Sequence, residues 1–312
     1  MTGASPVRYA TNGDVRIAYE TFGDPEVGTP ILLIMGLDFQ MVWWHDAFCQ
    51  ALVDRGFAVA RFDSRDTGLS THFTSPSTVE PWRAQAGLVP PAYSTLDLVA
   101  DVLAVLDALG WRSAHLLGGS LGGLLAQATG LLHPERVRSV TSAMAAPAGT
   151  SPLRMLTYLK LGTILRLARA GGRREDQDPV DALVAAYHLV ASPGGQYDET
   201  WVRQTAELSH QRAPRDPTTT QRQMSAGRGV TLPPLSSLSV PLLVLSGQED
   251  PLVKVSAGRA TARRVPGARF VCYPGMAHAI PPALWSAVAD ELAAFAGLRS
   301  GRPRSDQEPH PR

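Results

Sequence analysis

The chain has 312 residues, 44% hydrophobic and 18% charged, with a formal net charge of +1. This length suffices for a full α/β core plus an inserted subdomain, and the basic residues, scattered in short clusters such as Arg173-Arg174, form no continuous stripe for nucleic acid. Two cysteines, Cys49 and Cys272, give neither a disulfide framework nor metal-ligand spacing, no apolar run approaches the roughly 18 residues of a membrane span, and Met1-Thr2-Gly3-Ala4-Ser5-Pro6 lacks the pattern of a secretory signal, so a cytoplasmic protein is expected.

In chain order, Val15 to Phe22 alternates within a meander-like opening, and strands are predicted near 31–35, 57–63, 113–118, 137–143, 241–246 and 268–273. Helical patterns separate them. Between Leu96 and Leu109 apolar residues recur at helical spacing until Gly110 stops the run, and Leu121 to Leu132 repeats the pattern. Such alternation predicts an α/β fold, a mostly parallel sheet covered by helices on both faces. From 148 to 233 the rhythm breaks into helical patterns rich in Arg, Gln and Thr, with loops at Gly171-Gly172 and Ser192-Pro193-Gly194-Gly195. That region reads as a helical cap inserted after the sixth strand, dividing a core of 1–147 and 234–298. Residues 299–312 lack apolar side chains and are expected to be a disordered tail.

Chemistry concentrates at strand ends. Gly118-Gly119-Ser120-Leu121-Gly122 places a serine at a strand-to-helix corner, where a sharp turn exposes the hydroxyl. A serine hydroxyl is a weak nucleophile, so it needs a base and a group that orients the base. His278 follows the last strand in Pro274-Gly275-Met276-Ala277-His278, and is the one histidine of eight in such a context. Asp250, in Gln248-Glu249-Asp250-Pro251 after strand 241–246, is the preferred acid because it lies at the turn, with Glu249 as its rival. Asp250 could equally initiate a turn or cap the stretch from Leu252 to Ala262. The backbone N–H groups of Leu121, at the helix start, and of Leu37, after the strand ending at Met35-Gly36, are the candidate oxyanion donors. The cluster Asp63-Ser64-Arg65-Asp66 reads as a partly buried turn in which Arg65 serves the flanking carboxylates.

In this order and over nearly the whole length, Leu33-Ile34-Met35-Gly36, the turn from Phe62 to Ser70, and the Ser120, Asp250 and His278 loops resemble the α/β-hydrolase superfamily. Within it, Arg65-Asp66-Thr67-Gly68-Leu69-Ser70 and Pro274-Gly275-Met276-Ala277-His278-Ala279 are similar to the aclacinomycin methylesterase-like branch of polyketide-tailoring enzymes. Two positions depart from many members: Met35 stands where His is common, and Asp66 where Gly is common. The resemblance implies a serine esterase without cofactor or metal, acting on a small-molecule ester through Ser120, His278 and Asp250; charge distribution and hydropathy add the expectation of no nucleic-acid or membrane partner. A nucleophilic serine also argues against haloalkane dehalogenase and epoxide hydrolase chemistry, which on this architecture uses an aspartate.

Trp43, Trp44, Met144, Tyr187 and Trp201 are candidate pocket residues, and each could equally be packing between cap and sheet. The expected substrate is a small to medium apolar or aromatic ester. A polyketide-tailoring methylesterase, a perhydrolase or acyltransferase with the same triad, and a non-catalytic binding protein remain alternatives, and the sequence leaves the oligomeric state open.

Overall fold

Each apolar run expected to be a strand forms one in the structure, a computed structural model that describes residues 3–73, 90–171, 178–191, 197–216 and 218–298. The strands are β1 (Arg8–Asn12), β2 (Val15–Phe22), β3 (Thr29–Ile34), β4 (Phe57–Phe62), β5 (Ala114–Gly119), β6 (Val137–Ala143), β7 (Leu242–Gly247) and β8 (Arg269–Tyr273). They make a single sheet in the order β1-β2-β4-β3-β5-β6-β7-β8. β1 and β2 pair antiparallel, β2 joins β4 antiparallel, and the remaining pairs are parallel. The sequence reading missed β1 as a separate strand. Its signal was the two-residue turn Gly13-Asp14, where Gly13 takes φ +58° and closes a hairpin onto Val15.

Successive side chains of a strand face opposite sides of a sheet, so a doubly covered sheet has two cores. Leu32 and Ile34 of β3 enter one, beside Leu98, Val102 and Leu106 of α2 (Thr95–Ala108) and Leu125 of α3 (Leu121–Leu132). Ile31 and Leu33 enter the other, beside Phe48 and Leu52 of α1 (Asp46–Val53) and Val288 and Leu292 of α10 (Trp285–Phe295). α9 (Val255–Arg264) packs on β7 and β8. The α2 pattern ends as expected, with Gly110 at φ +69° just beyond the helix.

Between β6 and β7 lie α4 (Pro152–Tyr158), α5 (Leu161–Gly171), α6 (Pro179–Val190), α7 (Glu199–Arg212) and α8 (Thr219–Ser225). Asp178 and Asp198 cap α6 and α7, each carboxylate accepting two backbone N–H groups of the first turn. These cap helices join the core through an apolar seam in which Met41, Val42 and Trp43 bury against Val184, Val202 and Ala206. A polar seam runs beside it: Arg212 pairs with Asp63 at 2.6 Å, Arg222 with Asp66 at 2.8 Å and Arg215 with Asp38 at 2.5 Å.

This arrangement corrects the reading of the 63–66 turn. Arg65 turns to Asp101 of α2, at 2.6 Å, and leaves Asp63 and Asp66 to arginines of the cap. The reason is desolvation: Asp63, Asp66 and Asp101 are each at most 2% exposed, and a buried carboxylate needs its own partner. The expected tail from 299 and the loop at Ser192 to Gly195 lie outside the described residues. Among the described residues, no helix is long and apolar enough to cross a membrane.

Candidate active site

Ser120 stands between the last residue of β5 and the first of α3, with φ +54° and ψ −117°. A side-chain-bearing residue avoids this left-handed region unless its surroundings hold it there. They do so by close backbone approach. A Cβ at Gly118 would lie 2.0 Å from the Gly122 carbonyl oxygen, and one at Gly122 would lie 2.2 Å from that of Ile34. Small residues at both positions thus let the strand, the corner and the helix nest, while the Ser120 N–H stays in the sheet, donating to the Ala143 carbonyl at 2.8 Å.

The loop after β3 passes against this corner. A Cβ at Gly36 would meet Ser120 Cβ at 3.2 Å and lie 3.9 Å from Ser120 Oγ, which puts Leu37 one residue from the nucleophile candidate. Leu121 occupies the first position of α3. Its N–H belongs to the helix-start donors that have no intrahelical acceptor. In this loop Asp38 is also strained, at φ +61°.

Asp250 and His278 meet at the ends of β7 and β8. His278 Nδ1 and Asp250 Oδ2 are 2.8 Å apart, with the side chains 9% and 1% exposed. The other oxygen, Asp250 Oδ1, accepts from Leu252 N at 2.7 Å and Val253 N at 2.8 Å. One carboxylate oxygen of Asp250 thus builds the turn and the other lies against the imidazole. Glu249 does not share that bond. Its Oε2 is buried without a hydrogen-bond partner, and its N–H donates to the Met276 carbonyl at 3.0 Å. Gly247 permits the two loops to approach, because a Cβ there would lie 2.3 Å from the Ala277 carbonyl oxygen.

The cap is stitched into the same loops. The His278 N–H donates to the Val190 carbonyl at 3.0 Å, at the end of α6. Leu159 and Val253 form an antiparallel bridge, flanked by Lys160 N to Leu252 O and Lys254 N to Tyr158 O, each 2.8 Å.

The five aromatic and sulfur-bearing candidates divide into two groups. Trp44 and Met144 lie beside the corner, with Trp44 Cη2 at 3.7 Å and Met144 Cε at 3.9 Å from a Cβ position at Gly119. Met144 is itself strained, at φ +49°. Trp43, Tyr187 and Trp201 spend their ring faces on one another: Trp43 stacks on Tyr187 at 5.0 Å and meets Trp201 edge-on at 5.7 Å. Trp43 Nε1 also donates to Ser209 Oγ at 3.0 Å. Burial pushes the Tyr187 hydroxyl up to about 12. All three pack in the apolar seam between cap and core.

Sequence reasoning passed over Asp38, Arg212, Arg215, Thr220, Arg222 and Gln223, which together join cap to core at the edge of the site. The available signal was the Arg, Gln and Thr enrichment of the cap, set against unpaired carboxylates in the core loops. Among the described residues no group of three or more His, Cys, Asp or Glu side chains is arranged to hold a metal ion. A hollow of about 470 Å³ lies between β1 and α2, lined by Tyr9, Asn12 and Asp107, and contains none of the residues above.

A mostly parallel eight-stranded sheet of this order, with a serine at the β5–α3 corner and an Asp–His pair at the ends of β7 and β8, defines a hydrolase architecture. The chain belongs to the alpha/beta hydrolase fold family, which it matches over residues 29–281. It is similar to rhodomycin D methylesterase DnrP of Streptomyces peucetius, 29% identical over 93% of this chain and 97% of that protein. Rhodomycin D methylesterase DauP of Streptomyces sp. (strain C5) is 28% identical at the same coverage. Both support the resemblance to the methylesterase branch. Among solved structures, the esterase RhEst1 from Rhodococcus sp. ECU1013 shares the fold at TM-score 0.71 and 20% identity, covering 94% of this chain and 99% of that one. The enol-lactonase from Burkholderia xenovorans LB400 does so at TM-score 0.69 and 22% identity, over 93% and 100%.

Proposed function

We propose that this protein is a serine hydrolase that cleaves carboxylic esters, with Ser120 as nucleophile, His278 as base and Asp250 as the group that orients it. The single observation carrying the reading is the 2.8 Å bond from His278 Nδ1 to Asp250 Oδ2, on loops that share a sheet edge with Ser120. An Nδ1 proton held by a buried carboxylate leaves Nε2 as the free acceptor. His278 Nε2 takes the Ser120 Oγ proton as Oγ attacks the ester carbonyl, and the Leu37 and Leu121 N–H groups receive the negative charge on the carbonyl oxygen. The imidazolium then gives its proton to the leaving alcohol. Water, deprotonated by the same nitrogen, attacks the acyl-serine, releasing the acid and restoring Ser120. Each step needs only this chain's residues and water.

The substrate is an apolar or aromatic ester bounded by Trp44 and Met144 near Gly119, with the cap helices closing over it. A narrower reading, a methylesterase acting on a polycyclic aromatic methyl ester, is supported by the two relatives matched over 97% of their length. Hydrolysis of p-nitrophenyl esters of graded acyl length by wild type and Ser120→Ala tests the mechanism, with turnover expected to vanish in the variant. A parallel assay for methanol release from a polycyclic aromatic methyl ester tests the narrower reading. Turnover persisting in Ser120→Ala removes the serine, and generic turnover without methanol release removes the methylesterase.

A further inference from the structure

Cap side chains also reach the loop that follows β3, beside Leu37. Asp38, one residue after Leu37, is held by three cap groups. Its N–H donates to Gln223 Oε1 at 2.9 Å, and its carboxylate accepts from Thr220 Oγ1 at 2.7 Å and from Arg215 at 2.5 Å. Gln223 is 3% exposed, and its Nε2 donates in turn to the Arg65 carbonyl at 3.2 Å. One buried amide thus ties the loop after β3 to the loop after β4. The tie falls where it is needed, because Asp38 sits at φ +61°, a conformation that a residue with a Cβ leaves unless held. Gly36, two residues earlier, is already pressed against Ser120. Capturing the Asp38 N–H fixes the rigid Leu37–Asp38 peptide plane, and with Gly36 pressed against Ser120 on the other side, Leu37 is anchored at both ends.

Resting on the serine-hydrolase reading above, we infer that Gln223 is a positioning residue for the oxyanion hole: by holding the Asp38 N–H it keeps the neighbouring Leu37 N–H directed at Ser120. The cap then completes the catalytic site, and its Arg215 and Thr220 reinforce the same turn through the Asp38 carboxylate. A donor displaced by a fraction of an ångström stabilises the oxyanion less while leaving ground-state binding almost untouched.

The test compares full-length wild type, Gln223→Leu, Gln223→Glu and Arg215→Gln. Steady-state hydrolysis of a p-nitrophenyl ester is measured beside the rate of labelling by a fluorophosphonate, in which Ser120 Oγ bonds phosphorus, fluoride departs and His278 takes the proton. Thermal unfolding checks that each variant is folded. Gln223→Leu is expected to lower kcat and the labelling rate together by about ten- to hundred-fold, with KM within about twofold. Gln223→Glu keeps an acceptor for the Asp38 N–H but gives up the donor to the Arg65 carbonyl, so it is expected to recover part of that loss. Arg215 is 41% exposed and Thr220 stays on the Asp38 carboxylate, so Arg215→Gln folds even if Gln223→Leu does not, and its kcat is expected to fall by about three- to ten-fold. Unchanged kcat in Gln223→Leu or in Arg215→Gln, a loss confined to KM, or an equal loss in Gln223→Glu overturns the inference. Failure of wild type to be labelled at Ser120 overturns the serine-hydrolase reading instead.

Discussion

The main-chain N–H of His278 donates to the carbonyl oxygen of Val190, 3.0 Å away, so the end of a cap helix holds the loop that carries the imidazole. That carbonyl belongs to the last turn of α6, whose acceptors have no partner within the helix. The two segments should therefore open together. Replacing the α6 cap Asp178 by Ala costs about 1 kcal/mol locally, or about fivefold in opening. Hydrogen exchange is expected to quicken in peptides spanning 184–191 and 275–280 alike. Acceleration restricted to the helix would show that the loop is held without it.

Asp250→Asn is expected to keep the fold, because the amide oxygen still accepts from Leu252 and Val253. It should cost about ten-thousandfold in kcat by favouring the wrong imidazole tautomer. Glu249→Gln should leave kcat nearly unchanged, since its buried Oε2 has no hydrogen-bond partner. Kinetics of both variants on one ester decide between the two acids, and a reversed ranking would unseat Asp250.

Arg222 pairs with Asp66 at 2.8 Å and Asp216 at 2.6 Å, and Asp66 has no exposed side-chain surface. Arg222→Met removes the counter-ion of that carboxylate, leaving it the Phe73 N–H at 2.6 Å, and is expected to destabilise by about 3 kcal/mol. Arg203, whose pair with Asp181 is more than half exposed on both sides, provides the comparison. Its replacement by Met should cost less than about 1 kcal/mol. Urea denaturation reads both, and equal effects would mean that the polar seam contributes no more than a surface pair.

Burial, with Arg138 nearby, lowers the His115 imidazole from 6.5 to about 4. Its Nδ1 lies 2.7 Å from Ser139 Oγ. Between these values the unfolded chain binds a proton that the folded one refuses, so stability rises with pH across the window and is lost as pH falls through it. The full gap corresponds to roughly 3 kcal/mol, an upper bound. His115→Gln should flatten the dependence, seen as a smaller loss of stability between pH 7 and pH 4.5 than in wild type. Parallel curves would assign the acid loss to other groups.

Gly122→Ala would place a Cβ 2.2 Å from the Ile34 carbonyl oxygen and 2.6 Å from that of Met35, both backbone atoms. With no flexible side chain to yield, α3 must shift from β3, at an expected cost of about 3 kcal/mol or more. Gly162→Ala, in α5 with nothing within 4 Å, should instead be neutral or stabilising by about 0.5–1 kcal/mol. Thermal melts of the two variants separate close approach from helix propensity.

The strands, their order in the chain and the positions of Ser120, Asp250 and His278 were legible because they rest on local patterns. An apolar run bounded by a turn makes a buried strand, and small residues around a serine permit a tight corner whatever the rest of the chain does. Less was legible where two partners lie far apart in sequence. Asp250 and Glu249 are adjacent and chemically alike, and only the approach of the Met276-Ala277-His278 loop to Gly247 presents one of them to the imidazole. That Trp43, Tyr187 and Trp201 meet, one pair stacked and two edge-on, follows only from the way α6 and α7 bring their rings onto the Met41–Trp43 segment.

The sequence by itself determined the fold family, the strand-end placement of the site and the residue types available there, because hydrophobic periodicity and backbone sterics act over a few residues. The tertiary structure alone decided which carboxylate each arginine receives, pairing Arg65 with Asp101 and Arg222 with Asp66. It also decided that cap side chains and carbonyls hold the loops of Leu37 and His278. The physical reason is that a buried charge or a strained turn is satisfied by whatever group the packing brings within about 3 Å, and that distance is set by the whole chain.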